Sequence, residues 1–129
     1  METRTLLGFS LIKIASIYML AGLALGLYMG VTHAFELVTV HSHIGLAGWT
    51  TMALAGLIYV ASPRCDGNRL ARAHFWLHNL GLPVMTGGLV WNGLNPNTRA
   101  ETVIGIGSTV VFAGLLLFAV NLFKNCGKQ

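Results

Sequence analysis

Phe35-Glu36-Leu37-Val38-Thr39-Val40-His41-Ser42-His43-Ile44-Gly45-Leu46-Ala47-Gly48-Trp49 opens an apolar run that continues to Ala61 and carries two histidines inside it. The run is long enough for a membrane-spanning helix, which needs about 20 apolar residues. Ionisable side chains at membrane depth are costly and therefore point to function. Residues two apart on a helix project roughly 200° apart, at about 100° per residue. His41 and His43 thus face nearly opposite sides of one helix. A single ion held by this helix alone would want ligands three or four residues apart. Opposed imidazoles suit two different cofactors or two different partners. At a rise of about 1.5 Å per residue, His41 lies about 9 Å and His43 about 12 Å in from Phe35, within the outer half of a bilayer.

Composition extends this reading to the whole chain. Of 129 residues, 54% are hydrophobic and only 9% charged, against about 25% charged in a soluble domain. Four apolar segments are expected to span, roughly Leu6 to Val31, Phe35 to Ala61, Leu70 to Trp91 and Thr102 to Phe123. The fold class is an all-α four-transmembrane-helix bundle forming one domain over residues 1–129. No cleavable leader stands out, and the first span is expected to be retained. Arg4, Lys13, Arg64, Arg69, Arg72, Lys124 and Lys128 fall on one side and only Arg99 on the other. The positive-inside rule then places both termini in the cytoplasm of a bacterial-type inner membrane. Net charge of +4 reflects this orientation, and no nucleic-acid partner is expected. Cys65 and Cys126 fall on the same cytoplasmic side, where reduced thiols are expected. No Cys-x-x-Cys-His is present, which excludes covalent haem attachment. Asp66 is the only aspartate, so chemistry by paired carboxylates is not expected.

The face of the second span under His41 reads His41, Gly45, Gly48, Met52, Ala55. It is stripped of bulk for two turns, leaving room for a flat macrocycle or for a neighbouring helix. Gly45, Gly48 and Met52 are therefore candidate cofactor contacts. His41 and His43 are the candidate metal ligands, because neutral imidazole is the commonest ligand. The alternative is that each ring donates to a backbone carbonyl of another span. His74 and His78 lie four apart, on one helical face, a spacing that can hold one metal ion, so both are further candidate ligands. His74, beside Arg72 and Trp76, reads as interfacial, while the deeper His78 is a further ligand candidate or a hydrogen-bonding core residue. His33 in the outer turn, three residues before Glu36, is either a solvated loop residue or an outer ligand. Pro83 is expected to kink the third span, and the many glycines to pack helices closely.

The stretch Val40 to Trp49, running on to Tyr59-Val60-Ala61-Ser62-Pro63, resembles the haem-bearing helix of catalytic subunit I in haem-copper oxidases and nitric oxide reductases. Phe75-Trp76-Leu77 resembles a Phe-Trp-Leu stretch in the next helix of the reductases. The resemblance implies haem b on His41 and His43, with iron as the bound metal and copper as a further possibility. The His-Pro-Glu-Val and His-His copper motifs of that family are absent. The family's subunit has twelve spans in three arcs of four, so a four-span chain is expected to assemble as a homotrimer. The expected function is a membrane b-type haem protein, a cytochrome b in electron transport or a binder of nitric oxide or oxygen. Any enzyme activity would be that of an oxidoreductase acting through haem, with an unidentified electron donor. The rival readings are a non-haem copper or zinc protein using His33, Glu36, His41, His43, His74 and His78, and a structural membrane subunit.

Overall fold

The computed structural model describes residues 6–127. Arg4 and Lys128, which enter the charge argument, lie outside the described residues. The chain folds into four long helical segments: α1 (Leu6–Thr32), α2 (Phe35–Ala61), α3 (Arg69–Leu94) and α4 (Thr98–Asn125). No strand occurs among the described residues. α1, α2 and α4 are long and apolar enough to cross a membrane. α3 has 26 residues but carries Arg69, Arg72, His74, His78, Asn79 and Asn92, which make it more polar. The apolar helices place the protein in a lipid bilayer as a multi-pass membrane protein.

Local chemistry sets the boundaries. α1 ends where His33 takes a left-handed backbone, φ 58°, which stops an α-helix. Asn68 and Asn97 cap α3 and α4, each accepting a backbone N–H three residues on, from Ala71 and Ala100 at 2.9 Å. These amide side chains satisfy donors that a helix start leaves free. Within the helices the hydroxyls of Ser16, Ser42, Thr86 and Thr109 each donate to the carbonyl four residues back. In lipid such groups have no water to turn to. α3 runs through Pro83 as one continuous helix.

Glycines bring the helices together in pairs. A Cβ at Gly8 would meet the Gly56 carbonyl at 2.8 Å, and one at Gly56 would meet the Gly8 carbonyl at 2.7 Å. α1 and α2 therefore touch backbone to backbone. In the same way Gly81, Gly88, Gly107 and Gly114 interlock α3 with α4. The two hairpins join along α2 and α3, and among the described residues no extended interface links α1 to α4. The four helices form an open row. The reason is that close approach is supplied by glycine between neighbours in sequence, and among the described residues no glycine contact joins the row's two ends.

At one end of the row Cys65 is disulfide-bonded to Cys126, with Cα atoms 5.4 Å apart. This corrects the expectation of two free thiols. The 62–68 turn folds under α4, where the buried Asn121 donates to the Cys65 carbonyl at 2.8 Å. That contact brings Cys65 beside the last turn of α4. A separation of 61 residues hides the pairing from any local reading of the sequence.

Candidate functional site

α2 is not uniform. Residues 38–43 are α-helical, residues 44–50 form a π-helical turn, and the α-helix resumes at Thr51. Wide turns of this kind occur often at functional sites. His41 and His43 stand immediately before it.

His41 is half-buried against α1. Its Nδ1 lies 2.9 Å from the Gly22 carbonyl, and a Cβ at Gly26 would come within 2.9 Å of its Cε1. A carbonyl only accepts, so Nδ1 carries the proton and the lone pair of the neutral ring sits on Nε2. His43 is fixed the same way by its own helix, with Nδ1 2.8 Å from the Thr39 carbonyl. Neither Nε2 has a hydrogen-bond partner among the described residues. Binding one ring nitrogen to a backbone carbonyl is the usual support of a metal-ligating histidine, since it fixes tautomer and orientation.

An open groove of about 250 Å³ borders His41, lined by Met19, Gly22, Leu23, Gly45 and Trp49. Gly45 faces open space. Gly48 does not: it is buried, and a Cβ there would meet the Tyr18 ring at 2.7 Å. Met52 is fully buried in the core with Leu11 and Ala15. Of the low-bulk face, the structure leaves Gly45 open beside His41 and fills the lower part with α1.

The other histidines differ. His74 is fully buried, which corrects its reading as an interfacial residue; Tyr59 and Phe118 close over it. The Tyr59 hydroxyl lies 2.9 Å from His74 Nδ1, His74 Nε2 lies 3.2 Å from His78 Nδ1, and His78 Nε2 lies 2.9 Å from the Ala47 carbonyl. The carbonyl sets the direction for neutral rings. His78 donates to Ala47, His74 donates to His78, and Tyr59 donates to His74. All four ring nitrogens are engaged within the chain. The acceptor that ends this relay, Ala47, belongs to the π turn. Tyr59 was not legible as a partner in the sequence, because it meets His74 across a tertiary contact. His33 is exposed and stacks on Phe35 with centroids 5.8 Å apart. Among the described residues, no three His, Cys, Asp or Glu side chains come together to hold a metal ion.

The row of long apolar helices defines a multi-pass membrane protein, with two histidines standing just before the π turn of one helix. The family model for cytochrome c and quinol oxidase polypeptide I matches residues 24–120, most of the chain. The chain belongs to this family, and is a membrane protein resembling haem-copper oxidase subunit I. No curated protein and no solved structure matches it.

Proposed function

We propose that the chain is a b-type haem-binding protein of the inner membrane, with His41 and His43 as iron ligands and electron transfer as its function. The observation that carries this reading is the pair of free Nε2 lone pairs. Both rings spend Nδ1 on a carbonyl, and neither Nε2 has a hydrogen-bond partner among the described residues. The groove at His41 is apolar and edged by Gly22 and Gly45, which suits the edge of a flat macrocycle. When bound, haem would supply a one-electron couple whose potential follows axial ligands, burial and hydrogen bonding. Gly22 and Thr39 would then hold the imidazoles in register. A copper or zinc centre has weaker support, since the donors named for it do not converge among the described residues. Binding of a diatomic gas is the second reading, for an iron that takes only one of the two imidazoles.

Basic residues support the orientation. Lys13, Arg64, Arg69, Arg72 and Lys124 cluster toward the end of the row that carries the disulfide, and Arg99 sits at the other. With four spans, both termini would be cytoplasmic. Subunit I, which the chain resembles, has twelve spans in three arcs of four; an open row of four helices would fit one such arc, which supports a homotrimer. The test is the optical spectrum of the purified full chain. A Soret band with b-type bands on reduction is expected. A colourless protein holding stoichiometric copper or zinc would overturn the reading.

A further inference from the structure

We infer that the haem site is shared between copies of this chain, His41 of one copy and His43 of the next supplying the two axial nitrogens of one haem. This deepens the reading of the two histidines as haem ligands and rests on it. A six-coordinate haem takes one ligand on each side of its plane. Each face of α2 offers one: Nε2 of His41 on one side, Nε2 of His43 on the other. No second imidazole in the chain is placed to complete either face. His74 and His78 have every ring nitrogen engaged, and His33 lies outside the helix against Phe35.

The walls lead to the same conclusion. The groove at His41, at about 250 Å³, is smaller than the roughly 300–1,000 Å³ of pockets that enclose a ligand. It is one wall of a site. On the His43 side Thr39, Leu46 and Thr50 are exposed, so that face is open to a neighbouring helix. The two half-sites are unlike, and each lacks what the other presents. A contact pairing unlike faces is head-to-tail, and repeated by rotation it closes into a ring. The occupant of each face is therefore a second copy of the same chain.

Complementation tests this directly. His41→Gln and His43→Gln are made separately; glutamine keeps a donor for the Gly22 or Thr39 carbonyl while removing the imidazole. Each variant alone should lose the low-spin, bis-histidine signature in electron paramagnetic resonance. The two are then co-expressed under different tags, and mixed oligomers are isolated through both tags. Where the His43→Gln chain precedes the His41→Gln chain, an intact pair is rebuilt. A ring of three then recovers about one site in three. Native mass spectrometry of each preparation, with and without haem, checks that the variants still assemble. Mixed oligomers that stay without the signature, or single variants that keep it, overturn the sharing while leaving haem binding intact. A wild-type chain that takes up no haem overturns the functional reading and the sharing with it.

Discussion

The chain holds two pairs of histidines, and they have opposite fates. His74 and His78 are four apart, share a face of α3 and satisfy each other, with Tyr59 at one end of their relay and Ala47 at the other. His41 and His43 are two apart, face away from each other and each keep a nitrogen in hand. A buried polar group must find a partner. Spacing decides whether that partner is the next histidine or a backbone carbonyl. The first pair closes the core; the second leaves one ring nitrogen unspent on each side of α2.

The comparison breaks most sharply under substitution. His41→Ala or His43→Ala should cut the haem content of purified protein at least about tenfold, the equivalent of about 1.4 kcal/mol or more. His74→Gln should leave haem content near wild type while lowering thermal stability. Haem content measured by pyridine haemochromogen checks both. Loss of haem in His74→Gln with retention in both α2 variants would reverse the roles assigned to the pairs.

The disulfide tests whether the two regions are independent. It joins Cys65 and Cys126 across 61 residues at the end of the row near His74. Reduction, or Cys126→Ser, should cost about 2–4 kcal/mol of stability, read as a lower Tm in detergent. The Soret position should not move, because His41 and His43 lie toward the opposite end of α2. A shifted band would show that the two ends act as one unit.

Tyr59→Phe probes the closed pair more gently. It removes the donor to His74 Nδ1 and leaves a buried acceptor unpaired, at a cost of about 1–3 kcal/mol. Urea unfolding followed by tryptophan fluorescence is the measurement. An unchanged midpoint would mean that His74 is not held by this bond.

Much of this contrast was readable from the residues. The opposed geometry of His41 and His43 follows from helical spacing alone, and the apolar segments mark where the helices run. The fate of His74 was not readable. Its neighbours Arg72 and Trp76 are both exposed and suggested an interface, whereas burial came from Tyr59 and Phe118, two other helices away in sequence. The Cys65–Cys126 bond was hidden for the same reason, and the charge-based expectation of a reducing compartment pointed the other way. The π turn was hidden too: Gly45 and Gly48 permit it, but the His78 contact at the Ala47 carbonyl is a tertiary fact. Periodicity fixes what faces where on one helix and says little about which helix comes to meet it.

Two glycines on the same face of α2 make the smallest and most selective test. Gly48 lies under the Tyr18 ring, and Gly45 has no atom within 4 Å of an added Cβ. Gly48→Ala must push Tyr18 aside and should destabilise the protein with or without cofactor. Gly45→Ala meets nothing in the chain, and replacing a helical glycine adds about 0.5–1 kcal/mol of stability. The cofactor-free protein should therefore melt slightly higher. If haem lies in the groove that Gly45 lines, the same methyl group occupies its edge, and haem affinity should fall by about threefold to tenfold, or about 0.7–1.4 kcal/mol. Titration of haem into cofactor-free protein reads the affinity, and a melting curve of the same sample reads the stability. The two changes should have opposite signs at Gly45 and the same sign at Gly48. Equal affinity in Gly45→Ala and wild type would take haem out of the groove beside His41 and leave His43 as the better candidate for the first ligand.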